Sequence, residues 1–351
     1  MPAMTSFHIY IYLLIQMPDS AFVANERSYH MKFRKITIAG GGVLGSQIAF
    51  QTSYKGFDVT IYDVNEAAVS ECKKRINTLA AIYTEEIHHA ESTYGKSASE
   101  ISYNKNLISG LDELFYDKIN SEIRFVTRVP SRITFTSDLA EAVQDADLVI
   151  EAIPEQIKIK ADFYTKMGKL APEQTIFATN SSTLLPSMFA QYTGRPDRFL
   201  ALHFANEIWK NNTAEIMAHE DTSERVYDEV VEFAESIGMI PLKLRKEQPG
   251  YILNSILVPF LEASQTLLMN GVADIETIDM TWRLATGAPV GPFQILDVVG
   301  IQTAYNILKN YADTADDPNS EHAKLAAMLK NDYLDKGHNG VEAGEGFYKY
   351  R

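Results

Sequence analysis

The sequence predicts an α/β protein, with a doubly wound, mostly parallel sheet followed by an all-α C-terminal domain. Three observations carry this. Short apolar runs alternate with helical stretches from residue 33 to about 247. A glycine-rich turn joins the first apolar run to the first helix. Beyond Pro249 almost nothing reads as strand.

Residues 33–39, FRKITIA, read as a buried strand, AGGGVLG as the turn, and SQIAFQTSYKG as a helix with its apolar residues on one side. DVTIYD at 58–63 is the next strand and completes a βαβ unit. Residues 64–82 read as helix and carry Lys73, Lys74 and Arg75. Residues 84–131 are polar, with acids outnumbering bases, and predict helical segments with loops. Alternation then resumes: RITFTS and LAEAVQDA; DLVIEAI and KIKADFYTKMGKL; TIFATN and a short helix; FLALHF, AEIMA, a helix at 223–237, and MIPLKL. After Pro249, YILNSILVPFLEASQTLLMNG and IETIDMTWRLATG predict two apolar helices, with shorter ones behind them. The expected domains are 32–247 and 248–351. The apolar surface of the second suggests packing against another copy, a homodimer.

Residues 1–31 look foreign to the rest. The apolar run FHIYIYLLIQM at 7–17 is too short to span a bilayer. It has no basic segment before it and makes a poor signal peptide. Met31 directly precedes the first strand, so the expectation is a start at Met31 or a disordered extension before it.

A length of 351 residues suits two domains. The formal net charge of -14 argues against nucleic acid or an anionic membrane as partner, and an anionic substrate would need local basic groups. Cys72 is the single cysteine, which excludes an intrachain disulfide and suits a reducing, cytoplasmic compartment. No Cys/His spacing resembles a metal site. The adjacent His88 and His89 do not share a helix face, so no metal is expected.

Gly40, Gly42 and Gly45 form G-x-G-x-x-G, with Val43 and Leu44 between the last two, after a strand and opening a helix. Gly40 permits the tight turn, Gly42 lets the backbone approach a pyrophosphate, and Gly45 allows close helix–strand packing. The helix N-terminus offers N–H groups to phosphate. Asp63 closes the second strand, where a carboxylate accepts from ribose hydroxyls and repels a 2′-phosphate. Together these predict a Rossmann-type domain that takes NAD.

Ligands bind beyond the carboxyl ends of such strands. TIFATNSSTL places Asn180, Ser181 and Ser182 there, and LALHFAN places His203 and Asn206 at the same edge. Histidine suits proton transfer at neutral pH. Glu215, twelve residues on, would fix its tautomer. Asn254, on the first helix of the second domain, would bind the reacting oxygen across an interdomain cleft. Spacing alone leaves other roles open: a helix cap for Ser182, a structural histidine at His203, a surface acid at Glu215, and a cap or core amide at Asn254.

Taken together, GGGVLGSQIA, VIEAIPEQIKIK, TIFATNSSTL, RFLALHFAN, PGYILNS, GAPVGPFQILDVVG and GEGFYKY resemble the short-chain L-3-hydroxyacyl-CoA dehydrogenase family over residues 33–351. The resemblance implies that His203 is the catalytic base and Glu215 its carboxylate partner. It implies that Ser182 bonds the substrate oxygen near the nicotinamide ribose and that Asn254 lies beside the reacting carbonyl. It places Glu155, Lys160 and Asn206 along the cofactor site, and it implies a Rossmann domain followed by a helical dimerisation domain.

The chain departs from acyl-CoA members in three places. HFANEIWKNNTAEIM, with Trp209, replaces the family's proline-containing continuation of its HFFN motif. LAAIYTEEIHHAES is acidic where those members carry lysines for the CoA nucleotide. Glu342 stands where they have a lysine before GEGFYKY. FANEIWKNNTAE, FATNSSTLLP and GFDVTIYD are most similar to the diketoreductase branch. The substrate expected is therefore a 3-hydroxy/3-keto compound, either a CoA thioester or a free β-keto acid or ester. An L-gulonate-type polyol dehydrogenase and a catalytically silent NAD-binding protein share the fold, and the His203–Glu215 pair argues against the silent one.

Overall fold

The computed structural model describes residues 32–93, 107, 115–315 and 317–350. Residues 1–31 and most of the polar 94–114 stretch, on which expectations were stated above, lie outside these. The chain forms two compact units. The first ends at Arg245 and omits Ser182–Leu185; the second comprises Ser182–Leu185 and Lys246–Arg351.

The first unit runs β1 (Lys35–Ala39), α1 (Val43–Tyr54), β2 (Asp58–Tyr62), α2 (Glu66–Thr93), α3 (Phe115–Arg132), β3 (Thr134–Thr136), α4 (Leu139–Val143), β4 (Leu148–Glu151), α5 (Ile157–Leu170) and β5 (Ile176–Thr179). Three 3-10 turns follow between Pro186 and Arg198, where the sequence suggested a short helix. Then come β6 (Phe199–Phe204), β7 (Thr213–Met217), α6 (Glu224–Ser236) and β8 (Ile240–Leu244). The strands form one sheet in the order β3-β2-β1-β4-β5-β6-β7-β8. Every residue of β4, β5 and β6 is buried. Parallel strands covered on both faces read as continuous apolar runs, as LVIE, IFAT and FLALHF do.

The sheet is mostly parallel, but β7 runs antiparallel to β6. Only residues 205–212 join the two, too few for the crossover a parallel neighbour requires. β8 returns parallel to β7 through α6 and closes the edge. Its Pro241 and Lys243 suit an edge strand, where an unpaired backbone must not recruit another chain. Helix α2 extends to Thr93, beyond the predicted end at 82. Its buried side chains Val69, Cys72, Ile76, Leu79, Tyr83 and Ile87 recur every three or four residues and continue the stripe. That stripe packs on α2's neighbour α3, which contributes Ile119, Val126 and Val129.

The second unit contains α7 (Leu253–Met269), α8 (Ile275–Thr286), α9 (Pro292–Val299), α10 (Ile301–Ala315) and α11 (Glu321–Asp332). Its core gathers Leu261, Ile278, Phe293, Leu296, Ile301, Leu308, Leu325 and Leu329. Two buried carboxylates organise it. Gly291 precedes α9 and has no side chain to cap it; Asp279, from α8, accepts from the Phe293 and Gln294 N–H groups instead. Asp297 accepts from the Phe347 and Tyr348 N–H groups and the Tyr350 hydroxyl. A Cβ on Gly346 would lie 2.0 Å from Asp297 Oδ1. GEGFYKY thus has a packing reason for its glycine and its tyrosines.

Candidate active site

The parallel strands β1, β4, β5 and β6 present their carboxyl ends at one edge, with Ala39 level with Glu151 and Glu151 level with Thr179. The order reverses between β1 and β4, the topological switch point where such sheets bind ligands.

The glycine turn lies at this edge. Gly40 adopts φ +106°, a region that strains other residues, and a Cβ there would meet the Ala152 carbonyl at 2.5 Å. A Cβ on Gly45 would stand 1.9 Å from the Gly40 oxygen, so α1 can start this close to β1 only with glycine. A Cβ on Gly42 would meet nothing within 4 Å, which leaves open space above the first turn of α1. Val43 is exposed beside it, while Leu44 packs partly against the core. Asp63 follows β2; its Oδ2 accepts from the Gly41 N–H at 2.9 Å and its Oδ1 from the Val64 N–H at 2.7 Å. A carboxylate has about four acceptor positions, so Asp63 braces the turn and retains capacity for ribose hydroxyls. These residues fit a dinucleotide: a backbone cradle, a helix N-terminus and an acid at the second strand. The sequence reading missed Gly41, whose Cβ would lie 2.6 Å from Cys72 Sγ.

Asn180, just past β5, is buried, and its Oδ1 accepts from the Phe204 N–H at 3.0 Å. It ties the end of β5 to β6 beside His203. Asn206 is exposed, and its carbonyl accepts from Asn211 Nδ2. Loop 205–212 is well held. The Glu207 N–H donates to Gln47 Oε1 on α1, Trp209 packs on Tyr83, and Lys210 pairs with Glu86 at 2.9 Å.

His203 on β6 and Glu215 on β7 are direct cross-strand partners in the antiparallel register. Opposed residues carry their side chains on one face, so a separation of twelve in sequence becomes a contact. His203 Nδ1 lies 3.1 Å from Glu215 Oε2, with 6% and 3% of the two residues exposed. An ionised carboxylate only accepts, so Nδ1 carries the hydrogen of this bond, and proton exchange falls to Nε2.

Lys160 is buried, 2.6 Å from Glu151 Oε1 and 3.3 Å from Glu155 Oε2. Glu151, which the sequence reading passed over, also accepts from the Ile153 N–H, the Tyr164 hydroxyl and the Thr179 hydroxyl. The available signal was an acid ending a fully buried strand, which demands partners. Ser182 and Asn254 belong to the second unit. Asn254 lies on the first turn of α7, its N–H donating to the Gly250 carbonyl, and Ser182 is half-buried. Among the described residues, no helix is long and apolar enough to cross a membrane.

Comparison with known proteins now supplies the kinship. The model of the 3-hydroxyacyl-CoA dehydrogenase NAD-binding domain matches residues 35–116 and 116–248, and that of the C-terminal domain of the same enzymes matches 250–350. The mitochondrial hydroxyacyl-coenzyme A dehydrogenase of Homo sapiens is 32% identical over 95% of this chain and 96% of its own length. A probable 3-hydroxybutyryl-CoA dehydrogenase of Deinococcus radiodurans is 30% identical over 90% of this chain and 100% of its own. A solved diketoreductase, described as performing dual catalysis of dicarbonyl compounds, is 49% identical with TM-score 0.75, covering 91% of this chain and 99% of that one. Matched in order through both halves, the chain belongs to the 3-hydroxyacyl-CoA dehydrogenase family and is an NAD-dependent oxidoreductase.

Proposed function

We propose that this chain interconverts a 3-hydroxy and a 3-keto group, with His203 as general acid and base. The observation that carries the reading is the buried His203–Glu215 bond at the edge that also bears the glycine turn. When bound, NAD(H) accepts or supplies the hydride at the carbinol carbon. In the oxidising direction His203 Nε2 takes the hydroxyl proton; in reduction the imidazolium returns it to the ketone oxygen. Glu215 stabilises that imidazolium and holds the ring's orientation. On the strength of their motifs, Ser182 and Asn254 hydrogen-bond the substrate oxygen and favour the developing alkoxide. Gly40, Gly42, Val43, Leu44, Gly45, Asp63, Glu155, Asn180 and Asn206 serve the cofactor; Asn180 does so by holding β5 against β6.

Two substrate forms follow from the relatives. A CoA thioester is the substrate named for most of them, and it is the first reading. A free β-dicarbonyl compound is favoured by the 49% identity to the diketoreductase and by the acids Glu85 and Glu86 on α2. Single-cysteine usage supports a cytoplasmic setting. The helical unit exposes Ile256, Val272, Leu284 and Val298, which supports pairing of two copies through it.

The test follows NADH oxidation at 340 nm with acetoacetyl-CoA and, separately, a free β-diketo ester. Turnover of either supports 3-keto reduction, and the ratio of kcat/KM values decides the form. His203→Gln is expected to keep NADH affinity and to lose turnover by about 10³-fold; near-normal turnover would sink the reading.

A further inference from the structure

His203 and Glu215 lie at the end of a hairpin that outruns its neighbour strand. Strand β5 pairs with β6 only as far as Ala201, whereas β6 and β7 stay paired through His203 with Glu215 and Phe204 with Ala214. On the β5 side this overhang is tied by the Phe204 N–H, which donates to Asn180 Oδ1. The aim of the imidazole therefore depends on how loop 205–212, which joins the two strands, is held.

The loop is fastened along its length. Glu207 adopts φ +56°, a strained conformation for a residue with a Cβ, and its N–H donates to Gln47 Oε1. Asn212 Nδ2 donates to the Gly238 carbonyl at the far limb. The middle of the loop meets α2. Trp209, 4% exposed, packs its ring 5.7 Å from that of the fully buried Tyr83, and Lys210 Nζ lies 2.9 Å from Glu86 Oε1. Tyr83 and Glu86, at i and i+3, share one face of α2. The hydrogen bond to Glu86 raises the Lys210 ammonium above its ordinary pKa, so the pair stays charged at neutral pH.

We propose that the Glu86–Lys210 ion pair clasps this loop to α2 and so aims His203 at the reacting oxygen. Both are positioning residues that act through the loop. The inference rests on His203 being the general acid and base.

The test compares single-turnover rates of NADH oxidation in full-length Glu86→Gln, Lys210→Met, their double variant and Lys210→Arg. The keto substrate is whichever of acetoacetyl-CoA and the β-diketo ester reacts faster. NADH dissociation constants and thermal melts are taken on the same preparations. A partly exposed pair contributes little, so Glu86→Gln and Lys210→Met are each expected to slow turnover about fivefold, with NADH affinity and melting nearly unchanged. The double variant should be no slower than its parents, because the pair acts as one unit. Lys210→Arg keeps the charge and should stay within about twofold of wild type. The clasp falls if neither neutral variant slows turnover, if their losses multiply, if Lys210→Arg is as slow as Lys210→Met, or if NADH affinity drops as far as the rate. Should one neutral variant fail to fold, the other and Lys210→Arg decide the matter. Lys210→Met is also placed in the His203→Gln chain, where no further loss is expected. An equal loss there means that the pair does not act through His203, which overturns the clasp and leaves the acid–base reading standing. Near-normal turnover of His203→Gln itself sinks that reading, and the clasp with it.

Discussion

Among the described residues, each unit holds two carboxylates at 3% exposure or less, and the partners differ. In the sheet unit, Glu151 faces Lys160 and Glu215 faces His203, both side chains that carry or exchange protons. In the helical unit, Asp279 and Asp297 face backbone N–H groups and tyrosine hydroxyls, donors that stay put at neutral pH. A buried acid against a fixed donor closes a fold. A buried acid against a basic side chain pairs two groups that can both be charged. Burial alone does not separate the two uses, since all four residues are at most 3% exposed; the partner does.

The largest effect expected from this contrast is on stability. Asp297→Ala leaves the Phe347 and Tyr348 N–H groups and the Tyr350 hydroxyl without their acceptor. Hydrogen bonds to a buried charge are the costly ones to lose, so a drop of about 3 kcal/mol or more is expected in urea unfolding. NADH affinity of the folded fraction should hold. If affinity falls while the urea midpoint stays, the division of labour is wrong.

Glu215→Gln should do the reverse. The amide oxygen can still accept from His203 Nδ1, so packing survives, but the neutral group no longer stabilises the imidazolium. A fall in turnover of about 10²-fold is expected, with a stability change below about 1 kcal/mol. Steady-state kinetics and a urea curve on the same preparation check both halves. Large destabilisation with unchanged turnover per folded molecule would make Glu215 a lock like Asp297.

The contrast also separates what was legible in the sequence from what was not. The glycine turn is a local pattern, since Gly45 faces Gly40 and Asp63 braces Gly41 within one βαβ unit; the close approach of Gly40 to Ala152 is its long-range part. The His203–Glu215 contact needed one short antiparallel connection, and residues 205–212 are too few to build anything else. The same shortness shows that alternation of strands and helices does not make every strand parallel. Glu151 was not legible, because Lys160 and Tyr164 reach it from α5 and Thr179 from β5, and no periodicity marks that convergence. GEGFYKY was recognisable as a motif, yet its reason lies in Asp297, some fifty residues earlier. The α2 stripe continues past residue 82 through Tyr83 and Ile87, and the polarity of the residues between them hid it.

The smallest expected effect concerns the tyrosines of the helical lock. Burial pushes the phenols of Tyr348 and Tyr350 well above their ordinary value, and hydrogen bonds to Asp279 and Asp297 push them further. Burial raises Tyr333 to about 12. A group whose folded pKa lies above its unfolded one stabilises fully below the unfolded value, and that contribution is lost as pH rises through the folded value. The lock should therefore be intact up to about pH 10 and weaken above it, as the unfolded chain ionises first. Burial also raises Tyr54 and Tyr83 in the sheet unit, so an alkaline melt of the wild-type chain mixes both regions. Tyr350→Phe separates them. It should cost about 1 kcal/mol at pH 7, the worth of one hydrogen bond, and make the alkaline loss of stability shallower. An unchanged alkaline slope would remove Tyr350 from the lock and leave that titration to other raised tyrosines, among them Tyr333 and Tyr348 of the helical unit and Tyr54 and Tyr83 of the sheet unit.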